Sequence, residues 1–115
     1  MKLVINQDYG GFGLSPEAIK RYAEIKGIKL YEKKSKYTGL PIFYTSEDEE
    51  YGTLFDYDDI SRNDPVLIQV VEELGEEANG FLSSLKIIEI PDGVDWQVEE
   101  YDGREWIAEK HETWS

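Results

Sequence analysis

The stretch NQDYGGFGLSPEA, residues 6–18, places three glycines between an apolar run and the start of a predicted helix. Backbone N–H groups in such a turn, together with a helix N-terminus, can bind a phosphate group. The stretch lacks the lysine of a P-loop and does not fit the dinucleotide-binding pattern G-x-G-x-x-G. Pro16 removes one N–H, and Glu17 puts a negative charge where the phosphate would lie. The sequence therefore favours a turn that needs positive φ values over a phosphate site.

Binding of a small molecule at this turn remains an alternative, with a nucleotide signal as the ligand. An aromatic side chain of the turn would stack on the base, and the glycines would let the backbone approach the ligand closely. The residues of this alternative site are Tyr9, Gly10, Gly11, Phe12, Gly13 and Ser15.

Patterns for catalysis or metal binding are weak elsewhere. The chain has no Cys and one His, His111, which excludes thiolate zinc sites and cysteine nucleophiles. Residues 56–67 begin like an EF-hand loop but end in Leu67 where that loop needs a glutamate. Nothing selects an acid and a base among the 25 Asp and Glu residues, so a hydrolase with two carboxylates is the least favoured alternative. The prediction is a protein that is not an enzyme and needs no metal or cofactor.

Negative charge is the strongest feature of the composition. The formal net charge is -13, and residues 46–77 hold twelve Asp or Glu against one Arg. Such a field repels nucleic acid and anionic lipid and favours a basic partner surface, although it also simply keeps a small protein soluble. We therefore predict a basic protein partner, no direct contact with nucleic acid and no contact with a membrane.

Acidic and aromatic residues alternate around residues 46–60, which predicts an exposed acidic loop or hairpin insertion. Aromatic side chains among charges are typical of binding surfaces, and the alternative is a solvated loop held by its aromatics. The predicted partner-binding residues in this segment are Glu47, Asp48, Glu49, Glu50, Tyr51, Asp56, Tyr57, Asp58 and Asp59.

The C-terminal part contains the clearest hairpin signal, because Asp102 and Gly103 suit a two-residue type I′ turn. That turn pairs Glu99 with Trp106 and leaves large apolar groups on both faces of the hairpin. One face must cover the core, so the face of Tyr101 and Trp106 is either a recognition surface or is covered by the predicted helix after Ser15 or by residues 111–114. Tyr101 and Trp106 complete the predicted partner-binding set.

The remaining patterns predict the elements that position these residues. Residues 2–6 form a buried interior strand, residues 29–31 and 40–45 are weaker strand candidates with a lysine run between them, and residues 85–90 form another strand. One helix is predicted to start at the cap Ser15, which a proline follows, and to end at Gly27. A second is predicted to start at the cap Asp64, which a proline also follows, and to end at Gly75. The chain is predicted to be one α+β domain over residues 1–115. Its single small sheet would have about four to six mostly antiparallel strands, with both helices packed on it.

Three stretches resemble a family of small proteins of unassigned function encoded by bacteriophages and prophages. They are residues 4–18 with the motif YGGFGLS, residues 64–80, and residues 87–114 with IPDGVDW, EEYDG and EWIAEKH. The resemblance implies an accessory protein in the cytoplasm of a bacterial host, where it would inhibit a defence or nucleic-acid-handling protein by occupying its surface. It implies no catalytic residues, and it leaves homo-oligomerisation open.

Overall fold

The computed structural model describes residues 1–36, 39, 41–45 and 54–109. Its helices and strands, in chain order, are β1 (Lys2–Asn6), α1 (Pro16–Lys26), β2 (Tyr31–Lys34), β3 (Pro41–Tyr44), α2 (Pro65–Leu74), β4 (Leu85–Glu89), β5 (Trp96–Tyr101) and β6 (Arg104–Glu109). Short 3-10 turns lie before and after α2, at Tyr57–Asp59 and Gly75–Ala78. The α+β class and the C-terminal hairpin are confirmed. Most of the predicted acidic insertion, residues 46–53, lies outside the described residues.

The strands form three two-stranded antiparallel sheets, not the single sheet that the sequence predicts. β1 pairs with β4, β2 with β3, and β5 with β6. β1 is buried on both faces as predicted, but among the described residues it has a strand on one edge only. On the other edge, Val4 N donates to Arg62 O at 2.9 Å, and Asn6 N donates to Glu105 Oε1 at 2.9 Å. Because a loop and a side chain take the place of a neighbouring strand, β6 lies beside β1 without extending its ladder.

The group that closes this edge is a buried ion pair. Arg62 Nη2 donates to Glu105 Oε2 at 2.8 Å, and Arg62 Nη1 donates to the other carboxylate oxygen, which makes the pair bidentate. The Glu105 side chain is only 4% exposed and that of Arg62 15%. The guanidinium carbon also lies 3.7 Å from the centre of the Phe12 ring. One pair therefore ties β1 to the loop before α2 and to the C-terminal hairpin.

Both helices begin and end where the sequence predicts. Ser15 caps α1 by accepting a hydrogen bond from Ala18 N, and Asp64 caps α2 by accepting from Val66 N. Gly27 ends α1 in the left-handed conformation, and α2 ends at Gly75. The apolar stripes pack the two helices on each other and α2 on β1, and they supply half of the buried hydrophobic residues among those described, namely Ala18, Ile19, Tyr22, Ala23, Leu67, Val70 and Val71.

β2 begins two residues later and ends three residues later than the sequence predicts. It includes Lys33 and Lys34, which were expected to lie between two strands. Burial alternates along β2, with Tyr31 and Lys33 half-buried, and Lys33 lies opposite Ile42 of β3. The prediction was wrong here because the long methylene chain of a lysine lets the residue occupy a half-buried strand position.

We expect Asp64→Ala to lower the free energy of unfolding by about 1–3 kcal/mol, because it removes the cap of α2 and the acceptor of the Tyr22 hydroxyl. Asp64→Asn keeps a cap acceptor and should cost less. Burial would raise the pKa of Asp64, but hydrogen bonds from Tyr22, Val66 N and Lys26 together lower the pKa below its ordinary 3.8.

The stabilisation from the Asp64 charge is therefore present above pH 3.8 and lost as the pH falls through the lowered pKa. Urea denaturation at about pH 7 and about pH 2 should show the gap between wild type and Asp64→Asn narrowing in acid. A gap of equal size at both pH values would contradict this account.

Breaking the buried ion pair should be more costly than breaking an exposed one. Arg62→Met and Glu105→Gln should each lower the free energy of unfolding by about 3–5 kcal/mol, because each leaves the remaining charged group buried without an oppositely charged partner. In urea denaturation the double variant should lose less than the sum of the two. Arg21→Met, which breaks an exposed pair with Glu73, is the matched control and should cost about 0–1 kcal/mol. Additive losses at Arg62 and Glu105 would refute the coupling.

Candidate functional site

Three loops that are distant in sequence meet beside the N-terminus of α1. They are the glycine-rich turn (residues 9–15), the connecting loop between the last 3-10 turn and β4 (residues 79–84), and the hairpin tip (residues 101–104). Gly10 N donates to Asp102 O at 3.0 Å, which joins the turn to the tip. Gly80 N donates to Gly13 O at 3.2 Å, which joins the turn to the connecting loop.

Asn6, at the end of β1, is the residue that holds the three loops together. Its side chain is fully buried, and its Nδ2 donates to Asp8 O and to Gly103 O, both at 2.7 Å. Its Oδ1 accepts from Ser84 N at 2.9 Å. Sequence analysis missed Asn6, because nothing in a polar residue at a strand end indicates which distant loops it will bind.

Two glycines at this junction, Gly10 of the turn and Gly103 of the hairpin tip, allow close backbone approach. Gly10 and Gly11 have φ values of 129° and 98°, which confirms the predicted need for positive φ. A Cβ on Gly10 would lie 2.7 Å from Leu82 Cβ, and one on Gly103 would lie 2.2 Å from Gly11 N. Neither position has room for a side chain.

Three of the backbone donors near a phosphate at this turn, those of Gly10, Ser15 and Ala18, have partners inside the protein. Ser15 N donates to Ala78 O, and Ala18 N donates to the Ser15 hydroxyl. Together with the Gly10 contact to the hairpin tip, these bonds use donors of the turn and of the first helical residues. The predicted self-capped start of α1 is confirmed.

The two aromatics of the alternative ligand site lie in different surroundings. Tyr9 is 58% exposed, whereas Phe12 is half-buried, lies under the Arg62 guanidinium and meets the Tyr57 ring at 6.0 Å between centroids. Phe12 lines a small cleft of about 220 Å³ that is also bordered by Gly10, Gly11 and Gly13. The glycine-rich turn thus borders this small cleft through its glycines and the Phe12 side chain.

A larger cleft of about 470 Å³ adjoins the small one, and we call it the aromatic cleft. The two share four lining residues, among them Tyr57 and Phe81. Most of the wall is apolar, and the lining residues are Leu14, Ser15, Pro16, Ile19, Pro41, Phe43, Tyr57, Asn79, Gly80 and Phe81. Its size and character are those of a binding cleft.

The described part of the acidic segment forms the 3-10 turn before α2. Asp56 caps this turn by accepting from Asp58 N, and Asp58 and Asp59 are exposed. Tyr57 is half-buried against the aromatic cleft, and burial, with the charges of Asp58 and Asp56, raises the pKa of its hydroxyl. The other predicted residues of this segment, Glu47, Asp48, Glu49, Glu50 and Tyr51, lie outside the described residues.

The hairpin has the predicted register, with Glu99 opposite Trp106 and Tyr101 opposite Arg104. Its inner face carries the buried Glu105 and the half-buried Val98 and Ile107. The opposite face, which we call the outer hairpin face, carries Gln97, Glu99, Tyr101, Arg104, Trp106 and Ala108. On it Tyr101 is 69% exposed and Trp106 45% exposed.

The connecting loop adds exposed apolar residues that sequence analysis missed. Phe81 is 95% exposed and Leu82 57% exposed. The available signal was an apolar pair, Phe81 and Leu82, inside a segment of glycine, asparagine and serine. This combination is unusual for a loop that only connects two elements.

No protein-family model, curated protein or solved structure matches the chain. Neither of the two described α-helices has the length and apolar character needed to cross a membrane. Within the described residues, no three or more His, Cys, Asp or Glu side chains are grouped so as to hold a metal ion.

We expect Gly103→Ala to detach the hairpin tip from the glycine-rich turn, because the new Cβ would strike the backbone of Gly11. Gly93→Ala is a matched control, since Gly93 has a similar positive φ but nothing within 4 Å of the added Cβ. Both variants carry the strain of a positive φ, so the difference in their urea midpoints measures the close approach alone. Gly103→Ala should be less stable than Gly93→Ala by at least about 1 kcal/mol. Equal losses would contradict the close contact.

Proposed function

We propose that the protein is a non-enzymatic interaction protein that binds a basic surface of another protein, with the outer hairpin face at the centre of the contact. The observation that carries the proposal is the exposure of Tyr101 and Trp106 on a hairpin whose opposite face is anchored by the buried Glu105. Tyr and Trp are the residues that most often dominate the free energy of binding at protein interfaces.

The chemistry of this face fits a protein partner. The two aromatics lie among the charged groups of Glu99 and Arg104, so an apolar centre is bordered by polar groups, as in most interfaces. The hairpin is held rigidly, because the ion pair with Arg62 and the Asn6 contact with Gly103 fix its inner face and its tip. A rigid surface loses little conformational entropy on binding.

The net charge of -13 selects the kind of partner. It accelerates association with a basic surface and disfavours nucleic acid, anionic lipid and a second copy of the same chain. The resemblance to bacteriophage proteins supports a bacterial host protein as the target, in the cytoplasm and engaged in defence or in handling nucleic acid. Inhibition would follow from occupation of that basic surface.

The second candidate function is binding of a nucleotide signal at the glycine-rich turn. It is favoured by the cleft of about 220 Å³ that Gly10, Gly11, Phe12 and Gly13 border. The internal hydrogen bonds of the turn and the acidic charge of the chain count against an anionic ligand. A nucleotide that bound here should raise the melting temperature, and the rise should grow with the logarithm of its concentration above the dissociation constant.

Affinity capture from bacterial lysate, followed by purification of the captured protein and direct calorimetry, tests the first proposal. The double variant Tyr101→Ser/Trp106→Ser should raise the dissociation constant at least about tenfold, and added salt should weaken binding by wild type. Ile28→Ser, at an exposed apolar residue (37%) that follows α1 and lies outside the proposed surfaces, is the control and should bind like wild type. Equal binding by the double variant would refute the role of the outer hairpin face. Native mass measurement of the complex would also report homo-oligomers.

A further inference from the structure

We propose that the aromatic cleft binds a peptide segment of the partner in which an apolar or aromatic side chain lies next to an arginine or lysine. This inference rests on the proposed function, and it assigns a second contact that is separate from the outer hairpin face. Three features of the cleft carry it: its apolar wall, the charge beside it, and the exposure of Phe81.

The wall of the aromatic cleft suits an apolar side chain. Phe43, Tyr57 and Phe81 contribute three aromatic rings, and Pro16 and Pro41 contribute rigid apolar surface. The polar groups of the lining are few, and Asn79 is already engaged, since its Oδ1 accepts from Leu85 N at 2.8 Å. A ligand therefore gains most by burying apolar area against these rings.

The negative charge beside the cleft favours a ligand that carries an arginine or lysine next to its apolar side chain. An acidic recess of about 460 Å³ shares Ser15 and Asn79 with the aromatic cleft, and its other lining residues are Glu17, Glu76 and Glu77. Lys20 approaches Phe43 on the far side, but its ammonium is paired with Glu32 at 3.0 Å. A cation next to the bound apolar group would thus meet carboxylates, whereas a phosphate or carboxylate would be repelled.

Phe81 makes the cleft suited to a flexible partner segment. Its side chain is 95% exposed, so nearly all of the ring surface beside the cleft is open to an incoming chain. The backbone next to Phe81 is held in place, because Gly80 N donates to Ser83 Oγ at 2.7 Å and to Gly13 O at 3.2 Å. The cleft thus combines a fixed floor with a large apolar gain on binding, the combination that favours capture of an extended peptide.

The test titrates isotope-labelled full-length protein with N-acetyl-phenylalanyl-arginine amide and follows backbone amide shifts by nuclear magnetic resonance. Shifts should centre on residues 14–17 and 76–81. Control peptides replace the phenylalanine with glycine or the arginine with glutamate, and both should bind more weakly. Shifts of the same amides by adenine or guanine nucleotides, with none by the peptide, would overturn the proposal in favour of a nucleotide site.

Variants separate charge from apolar contact. Glu76→Gln/Glu77→Gln should raise the dissociation constant of the peptide by about two- to thirtyfold at low salt, the range expected for two exposed ion pairs. Glu89→Gln/Glu100→Gln removes the same charge at exposed residues of β4 and β5 and should leave the dissociation constant nearly unchanged. Phe81→Ser should raise the dissociation constant of the peptide further. The variant should stay folded, because the Phe81 ring is almost fully exposed. If the Glu76→Gln/Glu77→Gln and Phe81→Ser variants bind the peptide with the same affinity as wild type, the site is refuted.

The same variants distinguish this proposal from the proposed function. If Phe81→Ser leaves binding to the captured partner intact while Tyr101→Ser/Trp106→Ser abolishes it, the outer hairpin face is the contact and the aromatic cleft is not. If Phe81→Ser and Glu76→Gln/Glu77→Gln weaken binding of the partner as well as of the peptide, and Tyr101→Ser/Trp106→Ser also weakens binding of the partner, both surfaces contribute. Loss of partner binding on Phe81→Ser alone would leave the cleft and remove the hairpin face.

Discussion

The ion pair between Arg62 and Glu105 is the interaction on which the rest of the arrangement depends. β1 is buried on both faces, so the polar groups on its free edge must find partners or lose the free energy of their hydration. Arg62 meets that need with its backbone carbonyl and its guanidinium, and Glu105 meets it with a carboxylate that also accepts from Asn6 N. Two desolvated charges are tolerable because the pair is bidentate and both carboxylate oxygens are used.

The position of the hairpin follows from that pair, and the surfaces follow from the hairpin. With Glu105 turned inward, the alternation of a strand turns Trp106 and its cross-strand neighbours outward. The tip then reaches the glycine-rich turn, where Asn6 and the absence of side chains on Gly10 and Gly103 allow backbones to touch. The connecting loop closes against the same turn, and this leaves Phe81 beside the aromatic cleft. A contact that stabilises the fold therefore also presents the apolar groups that a partner would cover.

Local features were predictable from sequence because they depend on neighbouring residues. Ser15 and Asp64 cap their own helices, Gly27 ends a helix through its own φ, and Asp102 and Gly103 set the hairpin register through the turn type. The number of sheets was not predictable in this way. It depends on whether β6 or a side chain occupies the edge of β1, and the Arg62–Glu105 contact that decides this joins residues 43 positions apart.

The sequence by itself determined most of the elements, the helix caps and the hairpin turn, and an acidic charge that favours a basic partner, because these properties belong to short segments or to the sum of the residues. Only the tertiary structure decided which surfaces those segments create. The glycine-rich turn is a junction between loops, since Gly10 N donates to the hairpin tip and Ser15 N donates to the last 3-10 turn. Phe81 and Tyr57, separated by 24 positions along the chain, came to line one cleft because the loops that carry them pack against the same turn. Contacts between distant residues are set by packing and burial of the whole chain, and no local pattern encodes them.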